Sequence, residues 1–252
     1  MRSFIPRPDP SKERTGSRGG HWNFTEHAAF AAFVIWSMAG LIFTFKRISP
    51  DTISHLPAPG WVAQFIELCL QNGDPVLIFL AFVNTHLHAA RQWTPAIARR
   101  WGAIVLVCAF GIETFGAMTG FPFGAYHYTD RFGPMLGAVP LTIPLAWHVV
   151  VTNALFVVRA VAPHASLAGE AALAGVICTI YDFILEPFAT TVKQYWIWTG
   201  GTVPPLNYVA WFVLSALLVR VFAPTLSSRF HLDLRPGLIL GLTILIFLAG
   251  EF

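Results

Sequence analysis

Apolar residues along this chain fall in long runs parted by short polar joints, and neither strand alternation nor a one-sided helical stripe dominates. About 20 apolar residues in a helix cross the ~30 Å hydrocarbon core of a bilayer. Seven stretches approach that length: Ala28–Phe45, Pro75–Ala90, Gly102–Thr119, Leu141–Val161, Leu167–Glu186, Leu206–Phe222 and Gly237–Leu248. The segment Gly60–Leu70 has apolar residues at helical spacing with Gln64 and Glu67 among them, then meets the turn signal Asn72-Gly73-Asp74-Pro75. It predicts a short interfacial or re-entrant helix leading into the second span. The expected fold is all-α, a polytopic membrane helix bundle of about seven transmembrane helices plus that short element.

Residues 1–27 are rich in Pro, Gly, Ser and Arg and have no apolar period, which predicts a mobile tail turning helical near Trp22. Residues 28–252 then form a single transmembrane helical domain. Ser37-Met38-Ala39 resembles a signal-peptide cleavage site, but the apolar run continues past it and a long polar tail precedes it, so a retained helix is expected.

Composition agrees with the pattern. The chain is 55% hydrophobic and 12% charged with mean hydropathy +0.60, against about 25% charged residues in soluble domains. A formal net charge of +3, with basic residues at helix ends and not in one patch, gives no reason to expect a nucleic-acid partner. Counting Lys and Arg over the tail and the joints of a seven-span bundle puts twelve on the N-terminal side and four on the other. Basic residues collect on the cytoplasmic side, so the N-terminus is expected in the cytoplasm of a multi-pass cell-membrane protein. The loops Phe121–Pro140 and Pro187–Pro205 then lie outside, where their aromatic residues serve as an interfacial belt or shape a pocket mouth. Cys69, Cys108 and Cys178 show no metal spacing and read as buried, inert thiols.

A carboxylate at hydrocarbon depth costs several kcal/mol and is normally paired, protonated or beside water. Glu113 interrupts the third span, and Asp182 and Glu186, four apart on one helix face, lie near the outer end of the fifth. Two carboxyls that close in a low dielectric hold one proton between them more comfortably than none, and a retained proton is what a general acid needs. The same outer half gathers Trp147, His148 and Thr152 on the fourth span, Asn207 and Trp211 on the sixth, and Tyr126, His127, Tyr128 and Asp130 in the preceding loop. Singly, each of these is an ordinary interhelical hydrogen bonder; their shared depth makes them a candidate site. His86 and His88 are two apart, point to different helix faces and do not make a metal pair. No GxxxxGK[ST] loop, HExxH motif or aspartate-rich cluster occurs in the sequence, so nucleotide, zinc or diphosphate chemistry is not expected.

Two ordered blocks carry a resemblance. The first is Glu113-Thr114-Phe115-Gly116, Thr119-Gly120-Phe121-Pro122-Phe123-Gly124-Ala125-Tyr126-His127-Tyr128, Val139-Pro140-Leu141-Thr142-Ile143-Pro144 and Trp147. The second is Asp182-Phe183-Ile184-Leu185-Glu186-Pro187, Trp196-Ile197-Trp198, Pro204-Pro205-Leu206-Asn207-Tyr208 and Trp211. Together they resemble the membrane carotenoid-biosynthesis family that includes CruF-type carotenoid 1,2-hydratases and bisanhydrobacterioruberin hydratases, over roughly residues 110–212. The chain departs from that pattern at Glu186, where the family has Asp before Pro, and in Phe188-Ala189-Thr190-Thr191-Val192-Lys193, where it has small residues. Its first hundred residues match little.

The resemblance implies addition of water to the terminal C1–C2 double bond of an acyclic (ψ) carotenoid end group, without cofactor or metal. The expected partners are that carotenoid, water and the lipid bilayer. Asp182, Glu186 and Glu113 would provide the acid and the water-activating base. Tyr126, Tyr128, Trp147 and Trp211 would line a cation site, with His148 and Asn207 contributing to substrate binding. A cyclase protonating the same alkene, a non-catalytic carotenoid-binding protein and a proton-coupled transporter are the competing readings.

Overall fold

The computed structural model describes residues 23–46, 59–224 and 232–251, so the tail expected over 1–27 lies almost wholly outside them. Seven α-helices are present among the described residues: α1 Phe24–Phe45, α2 Gly60–Gln92, α3 Pro95–Thr119, α4 Thr142–Val161, α5 Leu167–Pro187, α6 Pro205–Phe222 and α7 Arg235–Glu251. Six of them are long and apolar enough to cross a membrane. The 17 residues of α7 reach about 25 Å and pack along α1 and α4. The chain is an all-α membrane helix bundle.

Helix boundaries follow local chemistry. Asn23 opens α1 with a reciprocal cap: Glu26 N–H donates to Asn23 Oδ1 and Asn23 N–H to Glu26 Oε2, both at 2.9 Å. Thr94 Oγ1 accepts from Ile97 N–H to start α3, with Pro95 at the first helical position.

The expected break at Asn72-Gly73-Asp74-Pro75 is not there. The Gly60–Leu70 segment is no separate interfacial element but the first turns of the 33-residue helix α2, which runs on through Pro75. Proline removes one backbone hydrogen bond from a helix interior. Two side chains also bond backbone carbonyls of this stretch: Asn72 Nδ2 donates to Leu68 O at 3.0 Å, and Trp36 Nε1, from α1, to Gly73 O at 2.9 Å. The turn residues are thus absorbed into a long helix packed against α1.

Helix α4 is the centre of the bundle, with 78% of its apolar stretch buried, and its few polar groups are tied to neighbours. Trp101 Nε1 donates to Thr152 Oγ1 at 2.9 Å, joining α3, and Asn153 Nδ2 to Thr85 Oγ1 at 2.8 Å, joining α2. At one end of the bundle Arg159 forms a buried ion pair with Glu170 at 2.9 Å and also donates to Pro224 O. Cys178 is buried, but Cys108 is exposed on the bundle surface, contrary to expectation, because it lies on the outward face of α3.

At the opposite end two loops form a cap. Strand β1 (Tyr126–Tyr128) pairs antiparallel with β4 (Trp196–Trp198) in the register Tyr126–Trp198, His127–Ile197, Tyr128–Trp196. Alternate residues of a strand face opposite sides, so Tyr126, Trp196 and Trp198 turn into the protein while His127 and Ile197 face out. A small hairpin, β2 (Met135–Leu136) with β3 (Val139–Pro140), lies beside it. Tyr126, Trp196 and Trp198 therefore belong to a roof over the bundle, the pocket-shaping alternative for these loops.

Candidate active site

Beneath that roof lies a cavity of about 70 Å³, several times the room that one water needs. Its polar wall includes three buried carboxylates, Glu113, Asp182 and Glu186, and a fourth acid, the partly exposed Asp74, also lines it. Glu113 of α3 accepts three hydrogen bonds: Tyr126 Oη at 2.6 Å and Tyr128 Oη at 2.7 Å on Oε2, and Trp147 Nε1 at 2.7 Å on Oε1. Glu186 also accepts three, from Trp198 Nε1 at 3.0 Å and Trp196 Nε1 at 3.2 Å on Oε2, and from Asn207 Nδ2 at 3.2 Å on Oε1. Asp182 accepts one, from the same Asn207 nitrogen, at 2.7 Å. Asn207, at the start of α6, thereby bridges the two acids one helical turn apart on α5.

The donors come from places that the sequence must bring together. Gly116 lies one turn beyond Glu113, and a Cβ there would sit 2.7 Å from Phe123 and 3.1 Å from Tyr126 Oη. Only glycine lets the β1 loop come close enough for Tyr126 to reach the acid. Burial, and then the Glu113 charge, push the phenols of Tyr126 and Tyr128 well above their usual range, so both stay protonated and act as donors.

Aromatic rings complete the enclosure. Trp147 and Trp211 stack face to face, with centroids 3.9 Å apart and planes 4° from parallel. Tyr126 packs on Trp198 at 5.1 Å and Tyr128 on Trp196 at 6.0 Å. The lining contains no Lys, Arg or His side chain, so the three acids have no cation of their own inside the cavity. The rest of the lining is largely apolar and includes Leu77, Ile78, Val150, Ile246 and Phe247.

Eight of the nine residues singled out from the sequence meet here: Glu113, Asp182, Glu186, Tyr126, Tyr128, Trp147, Asn207 and Trp211. His148 does not. Adjacent residues on a helix point about 100° apart, so while Trp147 faces the cavity His148 turns toward α2, where its ring lies 5.1 Å from Phe82 and 5.9 Å from His86. Thr152, on the same face as His148, is engaged with Trp101.

Sequence reasoning missed Asp74, Tyr195, Phe132 and Phe188, all of which line the cavity. It also did not place Trp196 and Trp198 in the site, although the spacings Tyr-His-Tyr and Trp-Ile-Trp are period-two signals of two short strands. Asp74 was hidden inside a turn signal that the helix overrides.

The family model described as "carotenoid biosynthesis protein" matches residues 73–249, well over half of the chain. The chain belongs to the carotenoid biosynthesis protein family. The match begins at the cavity-lining turn of α2 and takes in every later helix, a wider span than the two sequence blocks alone. Among curated proteins, the bisanhydrobacterioruberin hydratase of Haloarcula japonica is 29% identical over 137 residues, 51% of this chain and 46% of that protein. The chain thus aligns to about half the length of this relative. No solved structure matches.

Proposed function

We propose that the protein is a carotenoid hydratase, adding water across the terminal C1–C2 double bond of an acyclic carotenoid end group. The observation that carries this reading is a buried cavity of three carboxylates and stacked aromatic faces without a cation. A site built this way is complementary to a positive charge that exists only during the reaction. The named relative, a hydratase in the same family, supports the same class of reaction.

The hydrogen-bond inventory divides the roles. Glu113 and Glu186 each accept three donors and need no proton of their own to be satisfied. Asp182 accepts one and is the acid. Its proton passes to C2 of the alkene as the π electrons form the new C–H bond, leaving a tertiary cation at C1. The Trp147–Trp211 stack, Tyr126, Tyr128 and the Glu113 charge stabilise that cation. Water bonds to C1 through oxygen and loses a proton to Glu186, and the shared Asn207 bridge keeps Glu186 beside Asp182 so that the proton returns to the acid. The net change is one C–H and one C–OH bond for one double bond and one water, with no change of oxidation state overall. The long apolar remainder of the substrate lies along the wall formed by Leu77, Ile78, Val150, Ile246 and Phe247.

The test is expression in a host that makes an acyclic carotenoid. The expected product is heavier by one water per modified end. Asp182→Asn keeps the Asn207 contact but has no transferable proton, and should lower product by about a thousandfold or more, a general acid being worth roughly 10²–10⁴ and its loss leaving little else to start the reaction. A product of unchanged mass would mark ring closure, and an unchanged pigment profile would mark a protein that only binds carotenoid; either result overturns the assignment.

A further inference from the structure

A hydratase whose second substrate is water must admit it to a site roofed by aromatic rings, and one part of the wall is thin. A second, polar hollow of about 400 Å³ lies outside the roof, bordered by the exposed Gln71, Asn72, Asp130 and Arg131 together with Pro75 and Gly133. Asp74 lines the inner cavity, and its neighbour Pro75 lines the hollow. Phe132 lines the cavity, and both its neighbours, Arg131 and Gly133, line the hollow. At two places, therefore, neighbouring residues of the chain line the two spaces.

Asp74, on the cavity side of that wall, belongs to an ion pair. Lys193 Nζ lies 2.7 Å from Asp74 Oδ2, bringing the segment after α5 onto α2, and both side chains are partly exposed, 29% and 23%. The ammonium also sits 5.5 Å from the Phe188 ring centroid. Beside the pair, Tyr195 is 3% exposed and lines the cavity, with its hydroxyl turned toward the Asp74 carboxylate. Burial, with the Asp74 charge adding, holds that phenol well above its usual range, so it stays a donor. The surrounding frame is built to hold still. Arg131 donates to Gln194 Oε1 at 2.8 Å, Thr142 Oγ1 bonds Phe132 O, and Gly133 at φ 102° presses on Pro75, where a Cβ would come within 3.3 Å.

We infer that the Asp74–Lys193 pair, with the Tyr195 hydroxyl behind it, is the water inlet of the site, passing water from the polar hollow to the carboxylate cavity. The assignment of water as reagent rests on the hydratase reading; the existence of the passage does not. An ion pair at the rim of a membrane protein keeps a narrow throat wet, because both partners retain water as well as each other. The same throat lined by apolar groups of equal size drains.

The test uses the whole protein in membranes, with water access read separately from turnover. Hydroxyl radicals generated from water by radiolysis label aromatic residues that water reaches, and Tyr126 and Trp147 report on the cavity. The double substitution Asp74→Leu with Lys193→Met should lower labelling of both by roughly fivefold or more, and hydration should fall at least tenfold with polyene binding retained, a barrier increase of ~1.4 kcal/mol. The exchanged pair, Asp74→Lys with Lys193→Asp, keeps two polar ends and should return labelling to within about twofold of the unaltered protein. Lys193→Met alone gives the same direction at smaller amplitude if the double variant does not assemble. Unchanged labelling in the apolar variants, or loss of labelling in the exchanged pair, overturns the inlet. Failure of the unaltered protein to hydrate any acyclic carotenoid overturns the hydratase reading and leaves the labelling result to stand by itself.

Discussion

Asn207 shows how much one side chain carries in this site. Its amide nitrogen donates to both Asp182 and Glu186, and no other donor serves Asp182 among the described residues. Hydrogen bonds to charged groups contribute about 1.5–3 kcal/mol, and leaving such a group unpaired in the interior costs more than the bond was worth. Asn207→Leu should therefore lower the melting temperature in detergent by roughly 5 °C, at about 2–4 °C per kcal/mol for a chain of this size. Turnover should fall with it, since the two acids lose the group that holds them in register. Equal melting temperature and yield would show that the bridge matters to neither. At this scale the sequence was informative about identity and poor about direction. It placed Glu113, Asp182 and Glu186 at one depth, where the cost of a bare acid in hydrocarbon makes each conspicuous. His148, sharing that depth, turned out to face away, because 100° of helix rotation separates it from Trp147 and depth alone does not report rotation.

The elements that shape the cavity are the ones least visible in an apolar pattern. The long runs announced the helices. The Tyr-His-Tyr and Trp-Ile-Trp ribbon is only three residues a side, too short for a periodicity argument without its partner. Its pairing joins residues about seventy positions apart, which no local signal encodes. The seat of this ribbon on α3 depends on Gly116. In Gly116→Val the added side chain meets Phe123 and Tyr126 at less than contact distance, so the roof must lift and the Tyr126–Glu113 bond stretches. Overpacking of this kind costs about 1–3 kcal/mol. The expected result is roughly tenfold less product per folded protein, with Gly116→Ala intermediate, measured against membrane-extracted protein of matched amount. Activity equal to that of the unaltered chain would mean that the roof does not need its close approach. The opposite lesson comes from α2, where turn chemistry that would end a helix in water is overruled by the helix's packing against α1, α3 and α4.

For the molecule as a whole, the antiparallel succession of seven helices puts the roof, the cavity and the Asp74–Lys193 pair at one end and the Arg159–Glu170 pair at the other. We propose that the latter side, where the sequence puts its excess of Lys and Arg, faces the cytoplasm. With Cys69, Cys108 and Cys178 replaced by alanine, Thr199→Cys should react with a membrane-impermeant maleimide in intact cells, and Ala96→Cys only after lysis. The reverse pattern would invert the protein in its membrane. The bundle was legible from composition because a bilayer leaves the backbone few alternatives. The roof and inlet were not, because they sit where water is available and the chain is free to make loops.

The length of α2 bears on how two unlike reagents meet. At 33 residues it extends about 50 Å, some 20 Å more than the hydrocarbon layer is thick. With the apolar run from Pro75 onward filling that layer, the surplus turns end at Gln71 and Asn72, which border the polar hollow. On the proposed hydratase reading, water would start its approach from where it is already abundant, while the polyene would enter sideways from the membrane. Each would then have its own door, and neither would have to be expelled for the other to come in.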